Sequence, residues 1–220
     1  MKRTPISTAL LALGTGALAL GLIGCASTGP SRSAKAVDRM EDTHAGLTKE
    51  RAQIDQTLAS LRDVMSAGPE TLGTSFKKFS KDVDRLRADS EKTKRDFRSM
   101  KTKRNEYLDA WDKERGQVRD QELRQVAETR RAEVKANLDK AADSLTVAGE
   151  TFDPFLSNLG DVQKVLGNDL TATGQSLVSN TAVVQGANDK GAQVLQSIDV
   201  ALEALSNVTR QMSPSGEMRK

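Results

Sequence analysis

One cysteine, one histidine, one tyrosine and one tryptophan stand among 220 residues, aromatics make up 3% of the chain, and prolines number five. A lone thiol cannot close an internal disulfide, so the chain is not a disulfide scaffold. A lone imidazole, His44, with no second His, Cys or carboxylate cluster at ligand spacing, leaves no zinc motif to read. Serine and threonine are plentiful, but neither a Gly-x-Ser-x-Gly elbow nor a phosphate-binding glycine loop accompanies them. The expectation is a chain that is not an enzyme, with no catalytic residues, no cofactor and no metal. So few aromatics and prolines do not suit a thick globular core; they suit long helices that meet along narrow seams. No stretch alternates with period two, so no sheet is expected.

Charge is close to balanced, with 33 Lys and Arg against 30 Asp and Glu. If Lys2 and Arg3 leave with a targeting segment, the remainder is 31 − 30, or +1, and no nucleic-acid partner is expected. The distribution is uneven. Residues 26–70 hold 6 basic and 7 acidic groups, residues 71–140 hold 20 and 14, and residues 141–220 hold 5 and 9. A basic middle and an acidic end complement each other if they pack side by side.

The cysteine, Cys25, ends an apolar run. Met1 to Thr8 carries Lys2 and Arg3 and no acid, and the 16 residues Ala9 to Gly24 are mainly apolar and include four glycines. Such a run is shorter than the roughly 20 residues of a spanning helix and reads as a secretory signal. The quartet Leu22-Ile23-Gly24-Cys25 resembles the bacterial lipobox. That resemblance implies cleavage before Cys25, acylation of its sulfur, and attachment to a bilayer through acyl chains that each contribute about 0.8 kcal/mol per buried CH₂. Ala26 stands where such lipoproteins carry Asp when they are retained in the inner membrane, so the resemblance points to the outer membrane.

Beyond the signal, apolar positions recur in steps of three and four. Val37, Met40, His44, Leu47, Arg51, Ile54, Leu58, Leu61 and Met65 form a first seam, which predicts a helix over 33–66. Gly68-Pro69 is expected to stop it, with Gly68 as a left-handed cap. A second seam runs Leu72, Phe76, Phe79, Val83, Leu86, Ser90, Thr93, Phe97, Met100, Arg104, Tyr107, Trp111. The rhythm loosens after Gly116 and returns from Leu138 through Ala141, Leu145, Ala148, Phe152, Phe155, Leu159 and Val162 to Leu166, with Pro154 inside as an expected kink. It then slips by one residue in "GNDLTATG", residues 167–174, a stretch rich in turn formers. A fourth seam follows, Leu177, Asn180, Val184, Ala187, Gly191, Val194, Ile198, Ala201, Leu205, Val208. The fold class expected is all-α, an elongated antiparallel bundle of three or four long coiled-coil-like helices, four being the economical number. The segments are a signal peptide at 1–24, a lipidated N-terminus and linker at 25–32, a helical domain at 33–210 and a disordered tail at 211–220.

Within the seams, His44 reads as a packed or partly exposed core histidine. Arg51 and Arg104 read as structural, their stems on apolar neighbours and their guanidinium groups finding a carboxylate or setting register. Tyr107 and Trp111 form an i, i+4 packing pair. The run "EKTKRDFRSMKTKR", residues 91–104, has seven basic groups against two acids and reads as a solvated face and partner for the acidic fourth helix.

The order of a lipobox, "YLDAWDKE", "QVAETRRAEV", "TFDPFLSNLGDVQKVLGNDLTA" and a final heptad helix resembles the bacterial lipoproteins catalogued as domain of unknown function 2959. The resemblance covers nearly all of the chain after Cys25, the glycine- and threonine-rich fourth seam being its departure. It implies helices and an envelope location and brings no activity or binding residues. The expected function is that of a non-enzymatic lipoprotein, anchored in the outer membrane on its periplasmic face, that spaces or scaffolds envelope components. The alternative is a periplasmic holdase or adaptor. Expected partners are the lipid bilayer through Cys25, with an envelope protein, peptidoglycan or a second copy of the chain as candidates. Arg219-Lys220 is similar to the tail of the small murein lipoprotein, but four antiparallel helices would set both chain ends near the membrane, and no covalent link of Lys220 to peptidoglycan is expected. Replacing Cys25→Ser should leave an uncleaved or mislocalised precursor, read by its size and fractionation; a variant that still fractionates with the outer membrane would contradict the lipobox.

Overall fold

The computed structural model describes residues 29–213. Six helices make up the chain there: α1 Gly29–Met65, α2 Leu72–Arg115, α3 Gln121–Asn168, α4 Ala172–Ser179, α5 Ala182–Gln185 and α6 Ala187–Met212. No strand occurs among the described residues. They form four antiparallel passes, the last broken into α4, α5 and α6, so an all-α bundle of four passes is the fold. In cross-section the order is α1, α2, α3, α6, each long helix packing on its two neighbours. With 48 residues, α3 extends about 72 Å at 1.5 Å per residue. No helix among the described residues is long and apolar enough to cross a membrane.

Each reversal has a local cause. After α1, the Gly68 carbonyl accepts from the N–H groups of Thr71 and Leu72 at 3.0 and 2.9 Å. Gly68 does not take the left-handed conformation expected of it; the end of α1 is satisfied from a distance instead. Gln175 Nε2 on α4 lies 2.7, 3.2 and 3.0 Å from the carbonyl oxygens of Val64, Met65 and Ala67, acceptors that a helix terminus leaves free. Asp120 caps α3 by accepting from the Leu123 N–H at 2.8 Å. That helix runs on through Pro154 to Asn168. Thr171 then caps α4 and Thr181 caps α5 through their hydroxyls, which is why the last pass is interrupted where threonine and glycine accumulate.

The α3 seam is buried at every position from Leu138 to Leu166, and the α2 seam holds at Leu72, Phe79, Val83, Leu86, Ser90, Thr93 and Met100. In the fourth seam, positions from Ala187 to Val208 are buried as expected. Ahead of them Leu177 is 68% exposed while Val178 and Gly174 are buried, because the breaks at Asn180 and Gly186 reset the helical phase. The helical domain starts at Gly29, inside the expected linker 25–32, and ends at Met212, inside the expected tail 211–220. The Ser33 hydroxyl donates to the Met212 carbonyl at 3.1 Å, so the beginning of α1 and the end of α6 lie together. The signal 1–24, Cys25, Arg219 and Lys220 lie outside the described residues.

Two glycines make opposite predictions. A Cβ on Gly174 would stand 2.4 Å from the backbone oxygen of Asp169, whereas one on Gly149 meets nothing within 4 Å. Gly174→Ala should lower the melting temperature by opening the α3–α4 turn, and Gly149→Ala should raise it, by roughly 0.5–1 kcal/mol of helix propensity. Thermal melts followed by circular dichroism check both signs.

Candidate functional site

Residues seven apart share a column on a helix, and α1 packs three adjacent columns against its neighbours, two of them buried throughout. The central one is Met40, Leu47, Ile54 and Leu61. On the side facing α6 lie Val37, His44, Arg51, Leu58 and Met65, the column that apolar spacing selects. On the side facing α2 lie Ala36, Thr43, Glu50, Thr57 and Val64, all buried, with Gln53 and Ser60 beside them. So His44 and Arg51 do not belong to the centre of the seam. His44 is half-buried, and burial holds its pKa below the ordinary value while Glu41 works the other way. Arg51 is at the surface, its Nε 2.7 Å from Asp199 Oδ1 on α6. Thr43 and Glu50 take the buried places beside them.

Most of the polar column facing α2 is hydrogen-bonded locally. Thr43 donates to the Arg39 carbonyl at 2.8 Å, Thr57 to the Gln53 carbonyl at 2.7 Å and Ser60 to the Thr57 carbonyl at 3.0 Å. Gln53 Nε2 reaches across to the Asp82 carbonyl of α2 at 3.4 Å. Glu50 is different. It is 4% exposed and belongs to no ion pair among the described residues. Its side-chain partner is Thr93 of α2, and the Thr93 hydroxyl proton is already directed to the Asp89 carbonyl at 3.1 Å. Burial above all pushes the Glu50 carboxyl up from 4.5 to about 7, opposed by a Thr93 hydrogen bond and the Lys94 charge and helped by the nearby carboxylates of Asp89 and Asp153. The hydroxyl serves either state: a neutral Glu50 can donate to Thr93 Oγ1 while Thr93 gives its proton to the Asp89 carbonyl, and an ionised Glu50 can take that proton instead, which is the pull that opposes burial.

Glu50 faces a cavity of about 400 Å³ between α1, α2 and α3, closed on the fourth side by Ile198 of α6. Its polar lining includes Ser90 and Thr93, and its apolar walls include Phe97, Leu145 and Phe152. It lies at the seam between α2 and α3, the sparsest of the four packing seams. At its mouth Lys94 Nζ is 2.8 Å from Asp153 Oδ1 and 3.7 Å from Glu91 Oε1, and Lys101 Nζ lies 5.4 Å from the centre of the Phe97 ring. Gly46, whose Cβ would stand 2.9 Å from Thr93 Oγ1, lets α1 approach α2 beside this point. A wider groove of about 600 Å³ lies between α3 and α6, lined by Asp143, Val147 and Val200 among others. The half-exposed valines Val147 and Val200 mark it as an outer surface, so the smaller cavity is the better candidate.

The basic run does not meet the acidic fourth pass. Lys92 pairs with Asp96 and Lys103 with Glu106 within α2, while Lys94 and Arg104 reach Asp153 and Asp139 on α3. Helix α6 stands diagonally across the bundle from α2, and no ion pair joins the two among the described residues. Arg51 and Arg104 do find carboxylates as expected. Tyr107 and Trp111 pack edge to face at 5.5 Å, both partly buried against the core. Among the described residues no group of three or more His, Cys, Asp and Glu is placed to hold a metal. Ser90, Thr93 and Phe97 were legible as seam residues; Glu50 was not, although the heptad spacing Thr43, Glu50, Thr57 was there to be seen.

A family model described as "Protein of unknown function (DUF2959)" matches residues 25–212. No curated protein and no solved structure matches the chain.

The raised carboxyl gives stability a definite pH dependence. Between its ordinary 4.5 and about 7 the folded chain holds a proton on Glu50 that the unfolded chain has lost, so this contribution is full below pH 4.5, falls as pH rises, and is gone above about 7. His44, with its pKa lowered, contributes the opposite slope below 6.5. Urea melts at pH 5, 6, 7 and 8 should therefore show Glu50→Gln gaining on the wild type as pH rises; a difference that does not change with pH would contradict the assignment.

Proposed function

The chain belongs to the family so described, and from that footing we propose that it is a non-enzymatic helical protein of the bacterial cell envelope, anchored in the outer membrane through acylated Cys25, that spaces or scaffolds components on the periplasmic side. The observation that carries this reading is the meeting of Ser33 with Met212 at one end of the bundle. Cys25 lies four residues before Gly29, where α1 begins, so a lipid there would hold the bundle by that end. The 37 residues of α1 would then carry the Gly68-Pro69 turn about 55 Å away. The resemblance to a lipobox in the sequence and the buried faces of the three long helices α1, α2 and α3 support the same reading: the first would supply an anchor, the second a body stiff enough to set a distance.

A second reading, a holdase or adaptor, has one observation in its favour. Leu123 and Val126, three residues apart near the start of α3, are 62% and 61% exposed, a small apolar surface that a client chain would cover.

Labelled palmitate and membrane fractionation test the anchor, and suppression of aggregation of an unfolded outer-membrane protein separates the two readings. The expected result is a palmitate-labelled protein in the outer-membrane fraction that leaves the aggregation unchanged. Unlabelled protein free in the periplasm would overturn the anchor, and suppressed aggregation would overturn the spacer in favour of the holdase.

A further inference from the structure

We propose that the cavity around Glu50 is a binding site for a small organic cation, a primary amine with an apolar body, whose ammonium sits on the Glu50 carboxylate and whose body lies against Phe97, Leu145 and Phe152. This goes beyond the scaffold reading and does not depend on it.

The acceptor set fits an ammonium group. Glu50 is buried with no direct ion pair among the described residues; Lys94 acts on its charge only from a distance, being held by Asp153 and Glu91, while Lys49 is paired with Asp89 at 2.6 Å and Lys101 lies over Phe97. A buried carboxylate lacking a counter-ion is costly, and a ligand cation removes that cost. An ammonium carries three N–H donors, and the buried acceptors of the lining are the Glu50 carboxylate and the hydroxyl oxygens of Ser90 and Thr93; Thr146, Glu150 and Asp153 also line the space but are exposed. Thr93 gives its single proton to the Asp89 carbonyl or to the ionised Glu50, and in either case its oxygen keeps a lone pair for a ligand. A ligand carboxylate would face Glu50 as a like charge. A quaternary ammonium would leave the hydroxyl acceptors unused. The Lys101 ammonium over Phe97 shows that this aromatic wall accepts a cation. The volume of about 400 Å³ admits a phenylalkyl amine.

Binding is coupled to one proton. In the empty site the Glu50 carboxyl is neutral below about pH 7, so entry of the ammonium ion moves that proton to solvent and leaves the carboxylate paired. The other charged groups about Glu50 are Asp89, Lys94 and Lys101 on α2 and Glu150 and Asp153 on α3, while α6 lines the cavity only with Ile198.

Calorimetric titration of the purified protein with phenethylamine, 2-phenylethanol and 3-phenylpropionate tests the proposal. At pH 8 the amine should bind at least tenfold more tightly than the alcohol or the acid, and its affinity should fall roughly tenfold between pH 8 and pH 6, the loss of the ionised carboxylate. Glu50→Gln should abolish both the preference for amine and the pH dependence. Gly149→Leu, at a lining position where a Cβ meets nothing within 4 Å, should fill the mouth and remove binding of the amine while the melting temperature holds or rises; it keeps the test decisive if the Glu50 variant fails to fold. Equal binding of the alcohol, tighter binding of the acid, no binding of the amine, or unchanged amine binding in either folded variant would overturn the proposal.

Discussion

Two helices that meet along Thr43, Glu50, Gln53, Thr57 and Ser60 cannot be held together by apolar transfer alone. Every one of these side chains is buried between α1 and its neighbours, and a buried polar group costs free energy unless it is hydrogen-bonded. The threonines and Ser60 solve this within α1 by turning their hydroxyls back to carbonyls three or four residues earlier. Gln53 solves it across the interface. Glu50 has only a shared hydroxyl, and its raised pKa records the shortfall. Away from this row, the central column of α1 is apolar, and on the flank toward α6 Leu58 lies so close to Gly191 that a Cβ on the glycine would stand 2.5 Å from Leu58 Cδ1.

The charges follow the same geometry. With α2 between α1 and α3, its basic groups have carboxylates of both neighbours in reach, and Lys78 pairs with Asp63 of α1 at 2.8 Å as Lys94 pairs with Asp153 of α3. These pairs are largely exposed, and each contributes little by itself. Their use is in alignment, since α2 can slide along its neighbours only by losing several at once.

How much of this was legible depended on the helix. For α3, whose seam from Leu138 to Leu166 is apolar at every step, period alone located the buried face. For α1 it located a face one column away from the polar one, because spacing of three and four selects Val37, His44 and Arg51 as readily as Ala36, Thr43 and Glu50 when only hydrophobicity is weighed. A helix with two packed neighbours buries a wider arc than a two-stranded coil, and the additional column here is the one that carries Glu50. The break at 167–174 was legible from its turn formers. The breaks at Asn180 and Gly186 were not, since Leu177 and Val184 continue the heptad through them in sequence but not in space. The Gln175 cap on α1 joins residues more than a hundred positions apart, and no local pattern announces it.

The meeting of Ser33 and Met212 also decides how the bundle responds to force. Tension applied between those two ends would not stretch the helices along their axes. It would part α6 from α1 like a zipper, one contact at a time beginning at the Ser33 bond, and such peeling yields at low load. Tension applied between the Gly29 end and the Gly68-Pro69 turn would instead pull along α1 and load its alignment with α2 and α6 all at once. The same body is therefore weak when drawn from its two ends and strong when drawn from end to tip.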